Sequence, residues 1–129
     1  MILGLGIDIV PIARIEHLLT RYPGRAERKL FSPREREDCR SRANRAEHYA
    51  ARFAAKEALL KALGVPFGLH WHEIEVRTGI GGAPHLELSG EAARAATRRG
   101  VQASHLSLTH AGGMAAAVVV LEGQAGVRN

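Results

Sequence analysis

The hydrophobic pattern changes its spacing along the chain, and each spacing predicts a different element. Residues 2–10 form an apolar run with glycines and no helical period, which predicts a strand. Odd positions from 3 to 9 make one fully apolar face, while the other face carries Gly4, Gly6 and Asp8. Aspartate disfavours strands, and the glycines would let a neighbour approach the backbone closely on that side. Asp8 is therefore either a strand end that caps the next helix or a residue placed for a function.

Three helices are predicted between this strand and Gly64. Their approximate spans are 11–23, 32–42 and 44–64. Pro11 suits the first turn of the first helix. The second and third helices begin with capping boxes, at Ser32–Glu35 and Asn44–Glu47. Gly64 is followed closely by a proline, so it is expected to end the third helix as a left-handed glycine.

The second half of the chain alternates with a period of two, which predicts strands. The expected elements are strands at 73–78 and 85–88, a helix at 89–100 capped by Ser89, and a hairpin formed by 104–110 and 114–122. The order is then one strand, three helices, two strands, one helix and two strands. This order favours an α+β fold with a mainly antiparallel sheet packed against the long helix. Residues 1–122 are expected to form a single domain and residues 123–129 a loose tail.

The long helix carries an acid where a core residue is expected. In RFAAKEALLKALG, residues 52–64, the apolar stripe that includes Phe53 is interrupted by Glu57. Taken alone, Glu57 fits an ion pair with Lys61 one turn further on. Taken with Asp8, it suggests a cation site, because two carboxylates that converge repel each other unless a cation lies between them. Mg²⁺ is usually held by such hard oxygen ligands, together with waters and substrate phosphates.

Basic residues surround this acid on the same helix. Lys56 and Lys61 would flank a metal-bound polyphosphate, and Arg52 lies one turn before Lys56. Another basic pair, Arg14 and Arg21, is seven residues apart on the polar face of the first helix. That pair is either a solvated face or a docking surface for an acidic partner.

The predicted strand Ser104–His110 combines an apolar and a polar face. Its leucines face one way, whereas Ser107 and Thr109 face the other. No nucleophile-elbow motif surrounds these residues, so a serine–histidine nucleophile pair is unconvincing. His110 lies where the strand gives way to its turn. It is either a structural histidine or a residue that contacts a ligand.

The composition indicates an ordinary globular protein. The chain has 129 residues, of which 46% are hydrophobic and 24% charged. We find neither a signal-peptide pattern nor an apolar run of about 18 residues, so we expect no membrane partner and a cytoplasmic location. Cys39 is the single cysteine, which favours helix packing over a disulfide or nucleophilic role. His70 and His72, with Glu73, are more typical of surface residues than of a zinc site.

The net charge of +5 suggests an acidic partner or substrate. A basic nucleic-acid-binding module is the main alternative, and it predicts aromatic residues interleaved with the basic ones. Aromatic residues make up only 5% of the chain. That alternative also leaves Asp8 and Glu57 without a role, so we expect no nucleic-acid partner.

Six motifs stand in order along the chain. They are GIDIV at 6–10, LFSPRE at 30–35, RFAAKEALLKALG at 52–64, WHEIEV at 71–76, GGAPHLEL at 81–88 and HLSLTH at 105–110. Together they resemble the holo-acyl-carrier-protein synthase family of small 4′-phosphopantetheinyl transferases, over nearly all of residues 1–121. The resemblance implies the 4′-phosphopantetheinyl transferase fold. It also implies transfer of the phosphopantetheine arm of coenzyme A to a serine of apo acyl carrier protein, with release of adenosine 3′,5′-bisphosphate, in fatty acid biosynthesis.

The resemblance further implies a role for each matching residue. Asp8 and Glu57 would hold Mg²⁺, and Lys56 and Lys61 would contact the coenzyme A phosphates. Asp8, Glu57 and Lys61 would be catalytic, with either Glu57 or a metal-bound water as the base. The remaining contacts to coenzyme A would come from Arg52, Gly64, Pro84, Ser107, Thr109 and His110.

Two expectations about partners also rest on the resemblance. Arg14 and Arg21 would meet the acidic recognition helix of the carrier protein. Family members of this length are homotrimers whose active sites are shared between neighbouring subunits, so a homotrimer is expected. The larger transferases that serve peptide-assembly carriers are about twice as long, which argues against that type.

Overall fold

The computed structural model describes residues 1–65 and 71–124, and two antiparallel sheets organise this part of the chain. The strands are β1 (Ile2–Pro11), β2 (Ile74–Thr78), β3 (Pro84–Leu88), β4 (Val101–Ala111) and β5 (Met114–Gly123). The α-helices are α1 (Ile12–Arg21), α2 (Arg25–Leu30), α3 (Pro33–Arg40), α4 (Arg45–Leu63) and α5 (Gly90–Arg99). The predicted α+β class is confirmed. The six-residue helix α2 was not predicted, because it is too short to show a helical period.

The larger sheet has the order β1-β5-β4, and β2 pairs with β3 in the smaller one. The β4–β5 hairpin closes through Gly112 and Gly113, whose φ angles of 57° and 78° suit the tight turn that joins twisted strands. In the register across the larger sheet, Asp8 lies opposite Ala117, and Ile7 lies opposite Val118. Neighbouring positions on β1 therefore point to opposite faces of this sheet.

Helix α4 packs directly on the glycine side of β1. A Cβ atom at Gly6 would collide with the carbonyl of Ala58, and one at Gly4 would collide with the carbonyl of Ala62. The two glycines therefore allow backbone-to-backbone contact, as the sequence predicted. On the other side α4 contacts α1, α3 and β2, so the helix is covered almost all round.

The apolar face of β1 is turned outward. Leu5, Ile7 and Ile9 are 64%, 65% and 62% exposed, whereas Asp8 and Val10 on the opposite face are buried. Hydrophobicity alone would have placed the apolar face in the core. The close approach of α4 to the glycines decides the orientation of the strand instead.

The predicted helix ends are partly confirmed. Ser32 and Glu35 form the complete capping box, and Gly64 ends α4 in the left-handed conformation with φ 71°. The second capping box was wrong, because the side chain of Asn44 makes no capping hydrogen bond. Pro11 is the N-cap of α1 and the last residue of β1, not part of the first helical turn.

Two further boundaries differ from the prediction. The side chain of Ser89 does not cap α5; instead a carboxylate oxygen of Glu73 accepts a hydrogen bond from the Ala92 amide, at 3.1 Å. Gly123 belongs to β5, since its amide donates to the Met1 carbonyl at 3.0 Å, so the predicted tail begins one residue too early. His70, the proline after Gly64 and residues 125–129 lie outside the described residues.

Cys39 is buried in the core, and burial raises the pKa of its thiol to about 12. The position of Cys39 in the core agrees with the predicted packing role, and a thiol that stays protonated is a poor nucleophile. Within residues 1–65 and 71–124, none of the helices combines the length and apolarity needed to span a bilayer.

Candidate active site

Helix α4 is exposed to solvent at one place in its second half, which we call the opening of α4. From residue 49 to residue 63 every position is buried except Glu57, which is half-buried, and Lys61, which is exposed. These two residues are one turn apart and therefore lie on one edge of the helix. The interruption that the sequence showed at Glu57 is the point where α4 reaches the surface beside β1.

Asp8 of β1 lies at this opening and is held by Lys61. The Nζ atom of Lys61 donates to Oδ1 of Asp8 and to the carbonyl of Ile7, both at 3.0 Å. Asp8 is only 8% exposed. Its second oxygen, Oδ2, is buried and has no hydrogen-bond partner among the described residues. A buried carboxylate oxygen without a partner is costly, so it is a position where a further ligand is expected.

Glu57 shares this environment. Burial, together with the hydrogen bond and the negative charge of the neighbouring Asp8, raises the pKa of its carboxyl to about 7, while Arg14 and Lys61 act in the opposite direction. The pKa values of acids rise in this way when two carboxylates share a site. The structure therefore brings Asp8, Glu57 and Lys61 together, and it places Arg14 close enough to act on Glu57 electrostatically.

The donor set at this site fits a hard divalent cation. It offers the free Oδ2 of Asp8 and a carboxylate, Glu57, whose charged form is disfavoured without a counter-ion. No cluster of three or more potential metal-ligating side chains occurs in residues 1–65 and 71–124. Two carboxylates are nevertheless what Mg²⁺ commonly takes from a protein when substrate phosphates complete its coordination.

Lys56, a predicted phosphate contact, points into the interior of the protein. Lys56 is fully buried, and its Nζ donates to Oε1 of Glu35 at 2.7 Å. The same atom donates to the carbonyls of Trp71 and Ile74, at 2.8 and 2.7 Å. All three donors of the ammonium are therefore used inside the protein. Lys56 and Glu57 are adjacent in sequence, but the helix turns the lysine away from the opening.

Arg52, Gly64 and Pro84 lie away from the carboxylates. The guanidinium of Arg52 is nearly buried, with Nη1 3.3 Å from the His48 carbonyl and Nη2 4.0 Å from Asp38. Gly64 is the exposed C-cap of α4. Pro84 begins β3 in the smaller sheet, whereas Asp8 belongs to the larger one. Their contacts to coenzyme A stay predictions.

The predicted nucleotide contacts of β4 are also separate from the carboxylates. Ser107 and Thr109 lie opposite Val118 and Ala116 of β5, on the exposed sheet face that faces away from α4. His110 lies 3.7 Å from Glu47, at the start of α4. Because Glu47 and Glu57 are ten residues apart, the rise of an α-helix separates them by about 15 Å. Within a single chain, His110 therefore does not lie next to Glu57.

Arg14 and Arg21 are both exposed on α1, as predicted. Beside them lies an apolar groove that the sequence did not reveal, because its walls come from α1, α2, α4 and the turn at Trp71–Glu73. Its lining residues are Leu18, Tyr22, Arg25, Ala26, Lys29, Leu30, Phe53 and Trp71. Phe53 is one turn before Glu57, so the groove begins next to the opening of α4.

A basic pocket, also missed by the sequence, lies between α3 and the smaller sheet. It is lined by Arg34, Asp38, Arg42, Arg77, Thr78 and His85. These residues come from three separate parts of the chain and form no motif. Their only sequence-level trace is the excess of arginine in the net charge of +5.

The fold and the paired carboxylates define the class of protein. Residues 4–119 match the family model of the 4′-phosphopantetheinyl transferase superfamily. The chain therefore belongs to this superfamily. More narrowly, it is 56% identical over 126 residues to the holo-acyl-carrier-protein synthase of Anaeromyxobacter dehalogenans strain 2CP-1, covering 95% of this chain and 98% of that one. The resemblance predicted from the motifs is confirmed.

Solved structures agree with this assignment. The Chronobacterium ammoniagenes ACPS-CoA complex is 34% identical with a TM-score of 0.82, covering 94% of this chain and 97% of that one. The Helicobacter pylori holo-acyl-carrier-protein synthase, solved in complex with coenzyme A, is 34% identical with a TM-score of 0.79, covering 92% and 99%. The predicted transferase fold is thus confirmed.

Proposed function

We propose that the protein is a holo-acyl-carrier-protein synthase that transfers the 4′-phosphopantetheine arm of coenzyme A to a serine of apo acyl carrier protein. The observation that carries the proposal is the group formed by Asp8, Glu57 and Lys61 at the opening of α4. It is supported by relatives that are named for this activity and by related structures that contain coenzyme A. The nucleic-acid alternative finds no support among these relatives.

The residues suit each step of the transfer. The serine oxygen forms a bond to the β-phosphorus, and the bond from this phosphorus to the bridging oxygen breaks to release adenosine 3′,5′-bisphosphate. Glu57 lies at the opening of α4, where its carboxylate can accept the serine proton. Lys61 can stabilise the charge on the leaving phosphate, because its side chain is 43% exposed and its ammonium lies beside Asp8.

We assign the two carboxylates to a Mg²⁺ site. Asp8 and Glu57 would hold the ion, which when bound would neutralise the pyrophosphate and help orient it. The orphaned Oδ2 of Asp8 supports this assignment. Lys61 would keep Asp8 in place through its bond to Oδ1, so that Oδ2 stays free for the ion.

The exposed face of α1 is our candidate docking surface for the carrier protein. Arg14 acts electrostatically on Glu57 and so lies close to the reacting groups, while Arg21 lies two turns further along the helix. Two arginines on one face, beside an apolar groove, suit an acidic amphipathic helix. Docking there would bring a carrier serine to Glu57.

We further propose that the protein is a homotrimer with shared active sites. The apolar outer face of β1 is exposed in the single chain, and Val118 and Val120 of β5 extend it. Ser107 and Thr109 lie on the same face. If a second copy packs on this face, Ser107 and Thr109 of one chain would lie at the nucleotide site of the neighbouring chain. A single chain does not bring these residues to its own carboxylates. We also propose that the protein is located in the cytoplasm and acts in fatty acid biosynthesis.

The deciding experiment incubates the protein with coenzyme A, Mg²⁺ and apo acyl carrier protein and then measures the mass of the carrier. We expect the carrier to gain one phosphopantetheine arm, and we expect EDTA to abolish the gain. A carrier of unchanged mass would overturn the proposed function. A gain that persists in EDTA would overturn the metal site only.

A further inference from the structure

Arg99, the last residue of α5, joins two other elements of the fold. Its Nη1 donates to the carbonyl of Leu63 at 2.6 Å, and its Nη2 donates to the carbonyl of Leu3 at 2.7 Å. Leu63 is the last residue of α4, and Leu3 belongs to β1. One guanidinium therefore links the helix that carries Glu57 to the strand that carries Asp8. We call this contact the Arg99 bridge, and the proposed chemistry gives it no role.

Both carbonyls lie where the regular backbone pairing is interrupted. The carbonyl of Leu63 is one of the last four of α4, which have no partner within the helix. In the register between β1 and β5 the pairing passes from Ile2 to Gly4, so that Leu3 is skipped, as in a bulge. A guanidinium suits two such acceptors on separate elements, because its donors form a rigid planar fork.

The Arg99 bridge lies at one end of the line along which β1 and α4 touch. The two elements run in opposite directions there, since a Cβ atom on Gly6 would meet the Ala58 carbonyl and one on Gly4 would meet the Ala62 carbonyl. Their spacings agree, because four helical residues rise about 6 Å and two strand residues about 6.6 Å. One residue beyond Gly4 this line reaches the bridge, and two residues beyond Gly6 it reaches the carboxylates.

The glycine side of β1 offers little that could fix α4 along this line. The two glycines have no side chains that could pack into a groove of the helix, so the hydrogen bonds at the two ends gain importance. At the end near the site, Lys61 donates to Asp8 at 3.0 Å. In the proposed reaction Lys61 also acts on the leaving phosphate, so its bond to Asp8 can be given up during catalysis. The Arg99 bridge is a contact that the reaction leaves untouched.

We propose that Arg99 is a positioning residue that fixes α4 against β1 and thereby sets the separation of Asp8 and Glu57. The proposal rests on the proposed function, because it concerns the carboxylates assigned to the transfer. Arg99 acts through the backbones of the two elements and not on the reacting atoms. Such an effect is measurable, since a displacement of about 1 Å can cost a reaction about 10²-fold in rate.

The test replaces Arg99 and measures kcat and KM separately. Arg99→Met removes the guanidinium and keeps most of the apolar stem, and because Arg99 is exposed the substitution leaves the core intact. We expect kcat to fall about tenfold at saturating Mg²⁺, whereas KM for coenzyme A and KM for the carrier protein should each change less than about twofold. Arg99→Lys keeps the charge without the fork, so we expect its kcat to be about threefold below that of the wild type.

Two controls separate positioning from general effects. Arg98→Met removes the neighbouring arginine, which is also exposed on α5, and should keep kcat within about twofold of the wild type. Ser32→Ala also removes two hydrogen bonds, from the Glu35 amide at 3.2 Å and to Glu75 at 2.6 Å, but at the start of α3. It should lower the unfolding temperature and leave kcat within the same range. An equal fall of kcat in Ser32→Ala would assign the effect of Arg99→Met to general loosening of the fold and overturn the positioning role.

Binding of Mn²⁺ alone gives a second measurement that does not depend on activity. The electron paramagnetic resonance signal of free Mn²⁺ shows how much of the ion the chain takes up. We expect the Kd to rise about fivefold in Arg99→Met, because a site must hold its ligands within about 0.5 Å of the productive geometry. Arg98→Met should bind Mn²⁺ like the wild type.

Each outcome bears on a separate claim. An unchanged kcat or an unchanged Kd in Arg99→Met, or full activity of Arg99→Lys, would overturn the positioning role. A wild-type chain that binds Mn²⁺ but transfers nothing to the carrier would overturn the proposed function, and the Mn²⁺ affinities of the variants would then decide the inference. A wild-type chain that transfers the arm but takes up no Mn²⁺ would overturn the proposed metal site, and kcat would then decide it.

Discussion

Glu57 is the residue on which the chemistry of the site depends most. It is the one carboxylate on the open edge of α4, and burial beside Asp8 raises its pKa to about 7. Replacement of this group by an amide would remove the proposed metal ligand and base while preserving the shape of the side chain.

We expect Glu57→Gln to lower kcat by about 10²-fold or more, in line with the loss of a general base, while the variant folds normally. The measurement is the rate at which the mass of the carrier increases at saturating coenzyme A. Glu37→Gln, at an exposed position of α3, is the control and should keep full activity. A fully active Glu57→Gln variant would exclude Glu57 from the site.

The raised pKa of Glu57 also predicts how stability depends on pH. Between about pH 4.5 and 7 the folded chain keeps a proton on Glu57 that the unfolded chain has released. The free energy of unfolding should therefore fall as the pH rises through this window. Urea titrations in EDTA should show a steeper fall for the wild type than for Glu57→Gln. Identical pH slopes in the two chains would contradict the raised pKa.

At the scale of elements, the contact between β1 and α4 places Asp8 beside Glu57. We expect Gly6→Ala to destabilise the protein by about 3 kcal/mol, because its Cβ would collide with the Ala58 carbonyl and push the helix away. Activity should fall further than stability accounts for, since Asp8 and Glu57 would separate.

Gly79→Ala is the control for this substitution. Its φ is −84°, and its Cβ would lie 3.6 Å from the Ala83 carbonyl, an ordinary contact. Chemical denaturation of both variants measures the difference. If Gly6→Ala were as stable as Gly79→Ala, the result would contradict the close contact between α4 and β1.

Helix α1 is the element that we assign to the carrier protein. We expect Arg14→Asp to raise KM for the carrier about tenfold, with the affinity for coenzyme A nearly unchanged, because the reversed charge would repel an acidic helix. Steady-state kinetics with each substrate varied in turn separate the two effects. Arg94→Asp, exposed on α5, is the matched control. Equal damage to both affinities would make Arg14 a structural residue.

At the scale of the whole molecule, we expect further copies of the chain to cover the apolar outer face of the larger sheet. We expect Ile7→Asp, at a side chain 65% exposed in the single chain, to convert a trimer into monomers. Light scattering during gel filtration gives the mass, and Thr97→Asp on the exposed side of α5 is the control. Transfer activity should be lost in the monomer although Asp8 and Glu57 are untouched. A wild-type chain that elutes as a monomer would refute the proposed assembly.

Local patterns along the chain correctly predicted most elements. The Ser32–Glu35 capping box and the left-handed Gly64 depend on residues within a few positions of each other, so the sequence contains all that decides them. The same reasoning failed at Asn44, because its side chain makes no capping bond despite the matching pattern. Helix α2 was missed because six residues carry too little periodic signal.

The sequence by itself determined most of the strands and helices and the family, and it marked Glu57 as an acid on an apolar stripe, because these are local signals. The close approach of α4 to the glycines of β1, which places Asp8 beside Glu57, was decided by the tertiary structure. Only the tertiary structure decided which lysine faces the site. Lys56 and Lys61 look alike in sequence, but one ammonium is enclosed by Glu35 and two carbonyls and the other binds Asp8 at the surface. The physical reason is that α4 is covered almost all round and has a single exposed edge. The packing of the neighbouring elements determines which residues lie on that edge.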